Sequence, residues 1–145
     1  MIEVLFCLVV GISDGDTLTA HCGIPAKYKR VSVRIVAVDT PEKRPEQPYA
    51  QEATEALQAI CMDAKAKITI RQKNKSYKRI VADVECNGVD AGTHLVRSGL
   101  AWVYPRYAKK HKHLYPLQDE AKAAKRGLWA DKTPIAPWEW RKKDK

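Results

Sequence analysis

No apolar run in this 145-residue chain approaches the roughly 20 residues that a membrane-spanning helix needs. The four cysteines, at positions 7, 22, 61 and 86, include no C-x-x-C pair, which argues against a zinc site. No internal repeat and no linker divides the sequence, so a single main domain is expected. The apolar start, Met1 to Val10, carries Glu3 and lacks both a basic residue and a small-residue cleavage site. It reads as a first strand and not as a secretory signal.

Hydrophobic residues make up 45% and charged residues 30%, ordinary for a soluble globular protein. A chain of this length can bury a core without covalent or metal staples. The net charge of +9 is uneven. Residues 1–104 hold 14 Lys/Arg against 12 Asp/Glu, whereas residues 105–145 hold 12 against 5. A basic C-terminal third suits a polyanionic partner such as nucleic acid, and it equally suits a solvated helix face with a loose tail. Cys7 and Cys22 flank the turn at 14–17 at similar distances, so they can face each other across a hairpin. Four cysteines allow three pairings, and four buried thiols fit as well.

The pattern predicts strands over Val4 to Ile12, Thr17 to Ala20 and Val31 to Val38, with turn chemistry at Ser13 to Asp16. Asp39 to Pro48 holds three prolines and reads as an irregular loop. Ala53, Ala56, Leu57, Ile60 and Ala64 then recur at helical spacing, placing a helix over about Tyr49 to Ala64. Strands follow at Lys67 to Arg71 and Arg79 to Cys86, with a turn at Asn74 to Lys78. Asp90 suits the N-cap of a short helix ended by Gly99, and Leu114 to Leu128 marks a third helix stopped near Gly127. The expected fold is α+β, a five-stranded barrel of the OB type with three helices over residues 1–132. Residues 133–145 form a Pro/Trp/Lys-rich tail, packed on the domain or trailing from it.

Three stretches carry candidate chemistry: Asp14-Gly15-Asp16-Thr17, Arg34 to Glu42, and Tyr77-Lys78-Arg79. Asp16 lies at a hairpin tip, Asp39 at the end of the third strand, and Glu42 just beyond. If the first and third strands are neighbours, these acids converge at one barrel edge. Grouped carboxylates repel unless a cation sits among them. With no His or Cys beside them, the cation is a hard one such as Ca²⁺ or Mg²⁺, with the Thr40 carbonyl as a further ligand. Taken singly, each acid also fits ordinary turn or loop chemistry. Arg34 sits in an apolar strand, where a charge needs a partner or an anion. Two guanidinium groups beside a metal suit phosphodiester cleavage, because the planar fork meets the charged oxygens of the transition state. A structural ion pair at Arg34 and a surface position for Arg79 are the plainer alternatives. Arg34 and Asp39 are an odd number of residues apart, so a regular strand would aim them to opposite faces; both reach one site only if the strand bends.

Together these stretches resemble the staphylococcal nuclease family. The matching text is DGDT at 14–17, VRIVAVDTPE at 33–42, QEATEAL at 51–57, YKR at 77–79 and LVRSGLAWVYPRY at 95–107. RGLWAD at 126–131 and IAPWEW at 135–140 are similar to its bacterial branch. The resemblance implies an OB-fold nuclease, one Ca²⁺ per chain, DNA and RNA as substrates, and 3′-phosphate products. By position it implies Asp16, Asp39 and Thr40 as metal ligands, with Asp14 behind them. Glu42 matches the acid that activates or positions water, and Arg34 and Arg79 match the phosphate-binding arginines. Tyr104 and Tyr107 are candidates for stacking on a base, with core packing as the other reading. Tyr77, Lys78, Lys109, Lys110 and Lys112 are candidates for flanking substrate contacts. The loop after Glu42 is shorter than in the staphylococcal enzyme and carries Pro45 and Pro48. A monomer without membrane association is expected, secreted or periplasmic with its export signal absent from this chain; a cytoplasmic location is the alternative. The competing class is a non-catalytic OB module that binds single-stranded nucleic acid.

Overall fold

The structure is a computed structural model that describes residues 2–74 and 79–143. Tyr77, Lys78 and most of the expected turn at 74–78 lie outside the described residues.

β1 (Val4–Asp14), β2 (Thr17–Cys22) and β3 (Lys29–Ile35) form an antiparallel meander. β4 (Val38–Asp39) follows, then α1 (Ala50–Cys61), β5 (Lys65–Lys73) and β6 (Arg79–Cys86). β5 pairs antiparallel with both β1 and β6, and β6 returns to pair parallel with β3. That parallel seam closes β1, β2, β3, β5 and β6 into a mixed barrel, as expected for an OB-type α+β fold. The hydrophobic alternation explains which face turns inward: Val9, Leu18, Ala20, Val31, Val33, Ile35, Ile68, Ile80 and Val84 are all buried. β7 (Val89–Asp90) leads into α2 (Ala91–Arg97), where the Asp90 carboxylate accepts from the Thr93 amide at 2.9 Å, the N-cap that its position predicts. β8 (Trp102–Val103) pairs with β4, and α3 (Leu114–Ala123) packs beside it.

Three expectations need correction. The third strand does not run unbroken to Val38. It stops at Ile35 and resumes as β4, because Ala37 adopts a left-handed backbone, φ 67°. The third helix ends at Ala123, where Lys125 turns left-handed and a short 3₁₀ turn spans Gly127–Ala130. A fourth helix is present where three were expected, α4 (Pro137–Lys143), within the Pro/Trp/Lys-rich tail.

The cysteines, left open by the sequence, form two disulfides. Cys7–Cys22 joins neighbouring β1 and β2, and Cys61–Cys86 ties the end of α1 to the end of β6. Among the described residues none is free.

Gly15 shows how tightly the β1–β2 tip is held. A Cβ there would lie 2.8 Å from the Ala53 Cβ of α1 and 2.8 Å from the Thr40 hydroxyl. Only a residue without a side chain lets the hairpin tip reach both neighbours. Gly15→Ala is therefore expected to cost about 1–3 kcal/mol through overpacking. A urea titration with an unchanged midpoint would show that the tip is looser than this packing requires.

Candidate active site

The break after β3 solves the facing problem between Arg34 and Asp39. Val31, Val33 and Ile35 point into the barrel, which leaves Arg34 on the opposite face. The left-handed turn at Ala37 then re-aims the chain so that Asp39 comes back toward Arg34. Arg34 fastens this bend itself. Its Nη1 donates to the Ile35 carbonyl at 2.8 Å and to the Val38 carbonyl at 2.9 Å, spanning the break. Its Nη2 lies 3.4 Å from Asp39 Oδ1 and 3.6 Å from Asp16 Oδ2. The two carboxylates thus flank one guanidinium nitrogen.

Asp16 is placed by the hairpin turn. Its amide donates to Asp14 Oδ1 at 3.1 Å, and its Oδ2 accepts from the Thr40 amide at 3.0 Å. Asp16, Asp39 and Thr40 are 6%, 1% and 3% exposed, so the two acids are nearly removed from water. Burial first, then the neighbouring Asp16 charge, pushes the Asp14 carboxyl up to about 7. Burial likewise raises Asp39, while hydrogen bonding to Arg141 pulls it down. The half-buried Glu42 is positioned by its backbone, whose amide donates to the buried Gln47 Oε1 at 3.0 Å.

Arg141, from α4, is the residue that sequence reasoning missed. Its Nη2 lies 2.8 Å from Asp39 Oδ2, and its Nη1 lies 3.2 Å from Asp39 Oδ1 and 2.5 Å from Glu42 Oε1. One planar fork therefore grips both oxygens of Asp39 and reaches Glu42. The hydrogen bond to Asp39 raises the Arg141 pKa further above its ordinary value, against the opposing effect of burial. The tail is pinned at three more points. Gln47 Nε2 donates to the Ile135 carbonyl at 2.6 Å, and Trp140 Nε1 donates to the Pro45 carbonyl at 2.9 Å. Trp138 lies parallel to Tyr104, ring centroids 5.2 Å apart and planes within 3°.

A cavity of about 490 Å³ opens beside these groups, lined among others by Arg34, Arg79, Arg141, Tyr104, Tyr107 and Gln72. Three guanidinium groups and two tyrosines therefore face one space large enough for a nucleotide-sized ligand. Arg79 enters it from the exposed first position of β6. Tyr107 meets Tyr104 edge-on at 5.3 Å. Trp102 instead packs edge-on against Trp129 at 4.5 Å, the core role that was the alternative for this segment. Lys109, Lys110 and Lys112 are exposed. Asp83, which the sequence left without a role, pairs with Arg71 at 2.5 Å and His111 at 2.8 Å on the outside of the barrel.

Among the described residues no group of three or more His, Cys, Asp and Glu side chains converges as a metal-binding cluster. What the site offers is smaller: two buried carboxylates and the Thr40 backbone, all oxygen donors, whose charge Arg34 and Arg141 now balance. That donor set fits a hard cation that draws its remaining ligands from water or substrate.

A closed barrel that holds buried acids against Arg34 and Arg141, beside one cavity lined by three arginines, suits an anionic ligand, and sequence comparison assigns the class. Residues 32–131 match the model of the staphylococcal nuclease homologue family. A protein of Escherichia coli described as an uncharacterized endonuclease is 36% identical over 134 residues, 92% of this chain and 82% of its own length. Another so described, from Haemophilus influenzae, is 34% identical over 140 residues, 96% of this chain and 74% of its own. A staphylococcal-like nuclease of Arabidopsis thaliana is 33% identical over 131 residues, 90% of this chain and 39% of its own. The chain belongs to the staphylococcal nuclease family.

Proposed function

We propose that this chain is a calcium-dependent phosphodiesterase that hydrolyses DNA and RNA and leaves 3′-phosphates. The observation that carries the reading is the cavity lined by Arg34, Arg79 and Tyr104, with the Asp16–Asp39 pair held against the Arg34 guanidinium. Asp16, Asp39 and the Thr40 carbonyl would hold the cation. When bound, it supplies Lewis-acid polarisation of a phosphate oxygen. Glu42 takes the proton of the attacking water or orients that water for in-line approach. Arg34 and Arg79 hold the equatorial oxygens as their charge grows, and the 5′ oxygen departs. Tyr104 or Tyr107 stacks on a base beside the cut, worth about 1–3 kcal/mol. Exposed lysines such as Lys109, Lys110 and Lys112 follow neighbouring phosphates, so cleavage weakens with salt.

In this reading residues 1–132 are the nuclease domain, residues 133–145 are its appended tail, and the protein works as a monomer. Two disulfides favour an oxidising compartment, hence a secreted or periplasmic nuclease. No helix among the described residues is long and apolar enough to cross a membrane.

The test is cleavage of plasmid DNA and of RNA across a calcium titration, with chelator as control and analysis of product ends. Retained binding with no calcium-dependent cutting would instead favour a non-catalytic nucleic-acid-binding module.

The raised Asp14 carboxyl gives a stability prediction for the chelated protein. Its folded pKa of about 7 lies above the ordinary carboxyl value of 3.8, so folding holds the proton. Its stabilising contribution is complete below about 3.8 and is lost as pH rises through about 7. Asp14→Asn mimics the protonated acid. Its unfolding midpoint should exceed that of the parent at pH 8, with the gap closing toward pH 4. A gap independent of pH would remove Asp14 as the cause.

A further inference from the structure

Arg141 stands where the proposed chemistry has no assigned role for it. Its fork covers both oxygens of Asp39 and touches Glu42, so it contacts the proposed cation ligand and the proposed water-directing acid at once. Asp39 is 1% exposed and faces two cationic groups, Arg34 and Arg141. A divalent ion ligated by Asp39 would sit within a few ångströms of both guanidinium groups, a like-charge approach that is strongly unfavourable in a half-buried site. Arg34 cannot withdraw easily, because its Nη1 spans the break between β3 and β4 through two carbonyls. Arg141 is freer: among the described residues its guanidinium donates to the Asp39 and Glu42 side chains and to no backbone carbonyl, so a change of side-chain rotamer releases it. It also lines the cavity shared by Arg34 and Arg79, so an anion there lies within reach of its fork.

We propose that Arg141 is an active-site residue, a built-in counter-cation that holds Asp39 and Glu42 in the metal-free protein and then exchanges these carboxylates for a substrate phosphate when the cation binds. This rests on the calcium-dependent reading above. The exchange couples the two ligands. Calcium alone must displace Arg141 and leave it unpaired. Calcium with a phosphate present gives Arg141 a new partner. Each ligand therefore strengthens the other, by the same factor in both directions. Trp138 stacks on one face of Tyr104, so a base on that ring takes the other face or displaces Trp138.

The test is calorimetric titration of calcium into the full chain, with and without thymidine 5′-phosphate, which has no phosphodiester bond to cut. Wild type is compared with Arg141→Gln and Arg141→Lys, all checked for an unchanged circular dichroism spectrum. Arg141→Gln should bind calcium alone at least tenfold more tightly than wild type, and the nucleotide should then improve calcium binding severalfold less. Arg141→Lys keeps the charge and should stay near wild type for calcium alone. Unchanged or weaker calcium binding in Arg141→Gln overturns the proposal, since a purely structural anchor would give that result. If no variant binds calcium and wild type cuts nothing, the calcium-dependent reading itself fails. If wild type cuts with calcium and Arg141→Gln gains no affinity, only the role of Arg141 falls.

Discussion

Glu42→Gln should lower the rate of plasmid cleavage by about 10²–10⁴-fold while the unfolding midpoint moves little. The side chain is half-buried, and its charged partner is Arg141, held at 2.5 Å. The amide keeps the shape and can still accept from Arg141, but it can no longer take a proton. The loop is also held independently of the carboxylate, through the Glu42 amide and Gln47. Loss should therefore appear in kcat more than in KM, because proton removal belongs to the transition state. Arg79→Ala should act similarly, since Arg79 is exposed at the start of β6 and the proposed mechanism sets its charge against phosphate. Near-normal turnover in Glu42→Gln would remove this acid from the mechanism and leave water activation to another group.

Arg34→Ala is expected to be the most damaging single change, because it strikes fold and chemistry together. Two carbonyls on either side of the Ala37 turn lose their donor. Asp16 and Asp39, nearly removed from water, lose a cation that both face. Leaving a buried charge uncompensated costs about 3–5 kcal/mol when it has no other partner. Arg141 still holds Asp39, so a loss of about 2–4 kcal/mol is the better figure here. Activity should fall by at least the same orders of magnitude as for Arg79→Ala. Arg34→Lys separates the two effects: it retains a charge near the acids but cannot span both carbonyls. A variant that cuts poorly yet unfolds at the wild-type midpoint would show that the bend stands without its clamp.

Much of this arrangement is legible in the sequence, for identifiable reasons. The Val-, Leu- and Phe-rich run of β1 and the alternation in β2 and β6 announce strands, and Asp90 announces the start of α2 because a capping carboxylate satisfies orphan amides there. The gathering of Asp16 and Asp39 follows once β1, β2 and β3 are neighbours. The bend at Ala37 is different. Alanine rarely adopts positive φ, so nothing local signals the turn, and only the requirement that Arg34 and Asp39 meet pointed to it. Helix α4 was hidden by its own composition. Prolines, tryptophans and lysines read as a tail packed on the domain or trailing from it, although Pro137 opens the helix, where its fixed φ and missing amide are well tolerated. Arg141 went unnoticed because its partners lie 99 and 102 residues away, and Gln47 because it joins the Glu42 amide to a carbonyl 88 residues away; no periodicity reports such contacts.

The position of α4 bears on how pieces of this protein should be cut. The family match covers residues 32–131, an obvious choice of boundaries for a recombinant fragment. Such a fragment would discard β1 and β2, taking Asp14, Asp16 and one wall of the barrel with them. It would also lose every anchor between the tail and the loop that carries Pro45 and Gln47. Asp39 and Glu42 would survive in it without Arg141. The matched boundaries thus cut through the barrel and leave out the helix that holds Asp39 and Glu42.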